Sequence, residues 1–334
     1  MFLSPPPCPH ALDLARYALV AQATLPSPAL DGASALVWRA PAGGGTGTGA
    51  GTLLVLPDSG TVMVEVTFAG QQVAQMAMTN FADPEGMTVL EDGSLALSEE
   101  RLGRAYRFTY APGGTLNRNA LQSIVVGPNT GTNSGSEGIA FDPRDGSFVA
   151  IKEKNPSNVF RVTGSFATGQ STYVDLFPAA GLAVADIADV YVLAGSPATA
   201  IAGGPDADDL LLLSQASNRL MHVTRSGAVR ASIDLASLGV NPEGVTMDDA
   251  GRIIVCADGT PSRLYVFAPT GDTGGGSGTC PCVADLNGDG AVDGTDLGVL
   301  LAGWGTASAA DLNGNGSVEG ADLGMLLAAW GTCP

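Results

Sequence analysis

Three of the Glu-Gly dipeptides in this 334-residue chain, Glu85-Gly86, Glu137-Gly138 and Glu243-Gly244, each open a short apolar run, at 87–90, 139–141 and 245–247. Ser34-Ala35 and Ala188-Asp189 stand in the same register ahead of apolar residues 36–38 and 190–192. The spacing is about 50 residues, a period at which each unit is one supersecondary element that cannot bury its apolar face alone. A second strand pattern follows in every unit, at 53–56, 94–97, 148–151, 210–213 and 252–256. A third comes after a short turn, at 62–67, 105–110, 159–162, 220–224 and 264–267. Units one to four then carry a fourth. Unit five does not, and residues 17–25, ahead of the first motif, have the missing pattern. Four antiparallel strands at this period are propeller blades, and an N-terminal strand that completes the last blade closes the ring. The expected fold is therefore all-β, a β-propeller of five blades by repeat count, with six as the alternative. With 46 Gly and 21 Pro, the composition suits many short strands joined by tight turns.

The segment Ser136-Glu137-Gly138-Ile139-Ala140-Phe141-Asp142-Pro143, followed by Lys152-Glu153-Lys154-Asn155-Pro156, resembles the SdiA-regulated family of β-propellers, and Asp83-Pro84-Glu85-Gly86 with Ser98-Glu99 agrees with it. The resemblance covers about residues 15–268, with blade four the poorest match. Residues 1–14 form an N-terminal tail, and 269–281, rich in Gly, Ser and Thr, read as a linker to a second module at 282–334.

Net charge excludes some partners. With 33 acids against 15 bases the chain carries −18, which disfavours nucleic acid and anionic membranes. No apolar run reaches the length of a membrane span, and a soluble monomer is expected. Some of the acids form a pattern. In a blade, the residue opening the first strand and the turn between strands two and three emerge on one face. Those turns carry Asp58, Glu99, Glu153 and Asp258, with Gln215 in blade four, so they share a rim with Glu85, Glu137 and Glu243. Converging carboxylates repel, and a bound cation or ligand compensates. The alternative is that the glutamates accept backbone N–H bonds and fix the blades. Lys152 and Lys154 flank Glu153 and weaken the cation reading there. Two histidines, His10 and His222, give no imidazole catalytic set. A calcium-dependent propeller hydrolase of lactonase or phytase-like type, working from the acidic rim on a small molecule, is the rival function.

The C-terminal module contains no Lys or Arg. Asp285, Asn287, Asp289, Asp293 and Asp296 occupy positions 1, 3, 5, 9 and 12 of a loop whose sixth residue is Gly290, and Ala291 at position 7 offers its carbonyl. The grammar repeats 26 residues later with Asp311, Asn313, Asn315, Ser317, Glu319 and Asp322. Hard oxygen donors at this spacing suit calcium, one ion per loop. Each loop leads into an apolar stripe at helical spacing, Leu297, Leu300, Leu301 and Trp304, then Leu323, Leu326, Leu327 and Trp330. Part of each stripe can pack helix on helix while the rest meets a partner. The module resembles a type I dockerin, an EF-hand-like unit that anchors extracellular enzymes, often in polysaccharide breakdown, to a cohesin. The resemblance implies a cohesin or surface-anchoring partner met at Gly294, Thr295, Gly320 and Ala321. Cys280 or Cys282 bridged to Cys333 would close the module, a loop worth roughly 4 kcal/mol in the chain-entropy model. Such a bridge and such a module imply an extracellular location, although residues 1–20 show no basic start typical of an export signal. Cys256, within the apolar run 253–256, reads as a buried hydrophobe.

Overall fold

The second strand of every unit is a near-continuous apolar run, so it has to be covered on both faces, whereas fourth strands such as Gln72–Thr79 and Val229–Asp234 keep most side chains in solvent. That gradient from buried inner strands to solvated outer ones is what a radial array of sheets satisfies. The computed structural model describes residues 12–41, 51–131, 135–270, 284–287, 289–308, 310–312 and 317–332. Residues 12–202 and 206–270 form one compact unit, and the described residues from 284 onward belong to a second.

The first unit is a five-bladed propeller. Blade one runs Ala33–Arg39, Thr52–Pro57, Val62–Val66 and Gln72–Thr79 from inside to outside; blade two Pro84–Val89, Leu95–Glu99, Arg104–Phe108 and Gln122–Val125. Blade three is Ser136–Asp142, Ser147–Lys152, Asn158–Ser165 and Gln170–Pro178, and blade four Asp189–Val192, Leu210–Ser214, Arg219–Val223 and Val229–Asp234. Blade five takes Asn241–Met247, Ile253–Asp258 and Arg263–Pro269, and its outer strand is Tyr17–Thr24 from the other end of the chain, paired antiparallel to Arg263–Pro269. The five-blade count replaces the six-blade alternative. One addition was not expected: Thr115–Asn117 leaves blade two to pair in parallel with the outer strand of blade one, which covers an exposed edge.

The Glu-Gly motif has a structural cause. Pairing slips at Pro84/Gly86, Pro242/Gly244 and Ser136/Ile139, so each glutamate sits in a β-bulge that turns its side chain out of the ladder. The glycine lets neighbouring inner strands meet. A Cβ on Gly86 would stand 2.7 Å from the Glu137 carbonyl oxygen, and one on Gly138 2.3 Å from Asp189 Oδ1. Blade four carries Asp189 where blades two, three and five have glycine. This buried carboxylate accepts the Val245 N–H at 2.8 Å and its own strand's Val190 N–H at 2.8 Å, which ties blade four to blade five. Around the rest of the ring, Ser34 Oγ donates to the Pro84 carbonyl (2.8 Å) and Phe141 N–H to Thr88 Oγ1 (3.0 Å). Buried apolar side chains fill the wedges between blades, for example Leu54, Leu56, Met87 and Leu97 between one and two. Cys256 is buried at 0% exposure between blades five and one.

Among the described residues the second unit holds two helices, Gly294–Ala302 and Gly320–Ala328, each begun by a capping box, Asp293 with Asp296 and Glu319 with Asp322. They pack around Val292, Leu300, Val318 and Leu326, all at 0% exposure. The halves exchange short pairings: Ala291–Val292 with Gly331–Thr332, and Val318 with Trp304. Leu301, Trp304, Leu327 and Trp330 stay about half exposed, so each apolar stripe is divided between core and solvent. Cys280, Cys282 and Cys333 lie outside the described residues, and with them the expected bridge.

Candidate functional site

The inner strands all begin at one end of the propeller, and the bulges there turn three glutamates toward the central axis. Glu137 is 8% exposed and Glu100, from the turn after Leu95–Glu99, 0%. Asp83, Glu85 and Glu100 each bring a carboxylate oxygen within 4.8 Å of the other two, and Glu100, Glu137 and Glu153 do the same. Glu100 is common to both triads, so five acids from blades two and three form one continuous cluster. Its Oε1 also accepts the Gly135 N–H at 2.8 Å.

The electrostatics follow from crowding of carboxylates in a largely buried site. Burial pushes the Glu85 carboxyl well above its ordinary value, helped by the charges of Asp83 and Glu243. Glu137 is raised well above its ordinary value by burial and then by Glu85, Glu100 and Glu153. Burial lifts Glu100 to about 7, with Asp83 opposing the Gly135 N–H. Glu243 is pushed up to about 9 by burial, then by Asp258, Asp186, Glu153 and Asp58. Asp58 rises by burial and the nearby Asp258 and Asp83. Blades one, four and five thus add Asp58, Asp186, Glu243 and Asp258 to the same field.

Of the seven rim residues expected from sequence, Glu85, Glu137, Glu243, Asp58, Glu153 and Asp258 face one another electrostatically, and Glu99 does not join them. Glu99 points the other way, into a two-oxygen ion pair with Arg118 Nη1 (2.7 and 2.9 Å) and onto the Ala82 N–H (2.9 Å). Successive strand residues point to opposite faces, and the burial of Glu99 beside Arg118 leaves the next residue, Glu100, for the axis. Bases are present at the rim as well: Arg101 Nε donates to Asp83 at 2.7 Å, and Lys154 pairs with Glu153. Glu243 accepts from Gln215 Nε2, and Asp186 accepts from Ser214 Oγ (2.7 Å) and the Ala216 N–H. Asp83, Glu100 and Asp186 escaped the sequence reading. The adjacent acids Glu99-Glu100 and the Asp83-Pro84-Glu85 spacing are the signals that mark them.

A third acidic group, Asp206, Asp209 and His222 in blade four, has Arg230 as counter-charge, its Nε meeting Asp209, while His222 Nε2 lies 2.9 Å from Asp209 Oδ2. It holds the chain entry, since Asp206 accepts the Leu12 N–H at 2.9 Å.

In the second unit, Asp285 Oδ2 accepts the Gly290 N–H (2.8 Å), Asn287 Oδ1 the Asp289 N–H (2.9 Å) and Asp289 Oδ1 the Ala291 N–H (3.0 Å). Asp296 accepts N–H groups of Asp293, Asn287 and Leu286, which hold its carboxyl below the usual range. Asp322 takes the Glu319 N–H at 2.8 Å in the same role. Asp293, Glu319 and the expected partner positions Gly294, Thr295, Gly320 and Ala321 are exposed at the helix starts. Asn313 and Asn315 lie outside the described residues, while Asp311 and Ser317 flank them.

The profile of the SdiA-regulated family matches residues 13–268, the whole propeller. The chain belongs to the SdiA-regulated family. Among solved structures, this SdiA-regulated propeller is similar to a streptogramin B lyase at 14% identity (TM-score 0.39, covering 73% of this chain and 67% of that one). Virginiamycin B lyase from Staphylococcus aureus matches at 15% identity (TM-score 0.38, 74% and 69% covered), and a chain of a nidogen/laminin complex at 13% (TM-score 0.44, 72% and 86% covered).

Proposed function

We propose that the propeller binds one divalent cation, calcium by its donor chemistry, at the axial acids Asp83, Glu85, Glu100, Glu137 and Glu153, and through it a small-molecule ligand. The observation that supports this reading is the pair of interlocked triads sharing Glu100. Five carboxylates in a buried space are unfavourable unless protonated or bridged by a cation, and the donors are all hard oxygens. The three neighbouring bases, Arg101, Lys152 and Lys154, still leave the five carboxylates in excess. Hydrolysis is the weaker reading. Among the described residues the one imidazole, His222, is held by Asp209 in blade four, so a hydrolase here would have to draw its general base from the same carboxylates.

The second unit, in this reading, holds one calcium ion in each loop and attaches the propeller as dockerins do, to a cohesin or another surface-anchoring protein outside the cell. Its support is the tandem Asp/Asn grammar, the two capping boxes and the divided apolar stripes. The two claims separate by stoichiometry. Isothermal titration with calcium is expected to give three ions per chain, two in Glu85→Gln/Glu137→Gln, and one in Asp285→Ala/Asp311→Ala. Unchanged stoichiometry in Glu85→Gln/Glu137→Gln overturns the axial site. A pull-down with cohesins tests attachment.

A further inference from the structure

Of the 15 basic residues in the chain, the only lysines are Lys152 and Lys154, one on each side of Glu153; all the others are arginine. The difference is chemical. A guanidinium grips a carboxylate through a rigid fork, whereas an ammonium is a compact, strongly hydrated point charge on a flexible stem. Both lysines of the molecule therefore stand at the axial acids, at the end of Ser147–Lys152 and in the turn that follows it.

The two do different work. Lys152 Nζ donates to the Lys154 carbonyl and, at 3.1 Å, to the Pro156 carbonyl. The Glu153 backbone is held too, its N–H on the Gly135 carbonyl (3.1 Å) and its carbonyl accepting the Ile187 N–H (3.2 Å) and the Ser157 hydroxyl. These bonds fix the turn, and the fixed turn sets the Lys154 ammonium against both oxygens of the Glu153 carboxylate. Burial lowers the Lys154 value, but the bond to Glu153 and then the charges of Glu153, Glu137 and Glu100 carry it above the ordinary one, so the group stays charged. Those three acids are the second axial triad. Among the described residues Glu153 is the one hydrogen-bond partner of Lys154 Nζ. With 38% of the lysine side chain exposed, the pair is of the weak, solvent-screened kind, and the ammonium can leave without disturbing the turn.

We propose that Lys154 is the exchangeable counter-ion of the axial acids: its ammonium closes the triad of Glu100, Glu137 and Glu153 until a divalent cation enters, and swings into solvent when it does. This rests on the axial cation site proposed above. The exchange selects for charge, since a monovalent ion only replaces one unit by another while a divalent ion adds a second.

The test uses the full chain with Asp285→Ala/Asp311→Ala, which leaves the axial site as the one calcium site. Acetylation by an N-hydroxysuccinimide ester, followed at each lysine by mass spectrometry, should run several-fold faster at Lys154 with calcium than without it and stay unchanged at Lys152. Potassium at the same ionic strength should accelerate neither. In calorimetric titration Lys154→Met should bind calcium roughly tenfold more tightly, the effect of removing a unit charge beside a divalent ion in a partly solvated setting, and Lys154→Arg should stay near the parent. Calcium that binds without changing the Lys154 rate, or equally to the parent and Lys154→Met, overturns the exchange and leaves the axial site standing, and acceleration by potassium overturns the charge selection. If neither the parent nor Lys154→Met binds calcium, the axial site itself falls, and the exchange with it.

Discussion

Gly138→Ala tests the claim that the Glu-Gly motif exists to bring inner strands together. The new Cβ would lie 2.3 Å from Asp189 Oδ1, 2.7 Å from Asp189 Cα and 2.9 Å from the Val190 nitrogen. Two of those three atoms are backbone of the neighbouring inner strand, so no rotamer change relieves the clash. Forcing a methyl into such packing costs about 1–3 kcal/mol. The displaced Asp189 carboxylate also loosens its bond to the Val245 N–H, and leaving a buried partner unsatisfied adds about 1–3 kcal/mol. Urea unfolding should therefore show a loss of roughly 3–5 kcal/mol with an unchanged slope. Gly181→Ala is the control, because nothing lies within 4 Å of its Cβ and its φ is not positive; it should be neutral or stabilise by less than about 1 kcal/mol. A Gly138→Ala variant within about 0.5 kcal/mol of the parent would refute the packing argument.

Arg118→Met leaves Glu99, fully buried, without its cation, and should destabilise by about 3–5 kcal/mol in the same assay; a neutral result would mean that Glu99 is solvated. Asp142 supplies a pH test. Burial raises its carboxyl, but the bonds from Arg144 and the charge of Arg225 outweigh that and hold it below the ordinary value. A depressed folded value means stability that is full above about pH 4 and falls away as pH drops through the folded value. Asp142→Asn should flatten the acid limb of a melting-temperature profile, and an unchanged limb contradicts the assignment. Calcium removal by EDTA should lower the melting of the C-terminal unit, since an ion at a hundredfold excess over its Kd adds about 2.7 kcal/mol; calorimetry showing the same transition with and without calcium counts against the loops.

The propeller was legible because its period is written in chemistry that the fold needs at every blade. Glu85, Glu137 and Glu243 mark bulges, and their glycines mark strand contacts, so three copies fixed the repeat, and the unpaired strand pattern at 17–25 marked the closure. Blade four was harder to read because Asp189 does by hydrogen bonding what glycine does elsewhere by absence of a side chain. The acids of blade two were legible only in part, since Glu85 was read, Glu99 was taken for its neighbour Glu100, and Asp83 was missed. Which of Glu99 and Glu100 faces the axis depends on Arg118, which arrives from 19 residues away and leaves no mark on the local pattern. The pairing of Thr115–Asn117 with blade one depends on how blades meet.

Crystals of the full chain soaked in calcium test the central claim most directly. The expected result is an ion on the propeller axis, coordinated by oxygens of Glu85, Glu100 and Glu137 at about 2.3–2.6 Å, with further oxygens from Asp83 or Glu153. Carboxyl groups joined to one another in pairs, with no ion between them at saturating calcium, would contradict it.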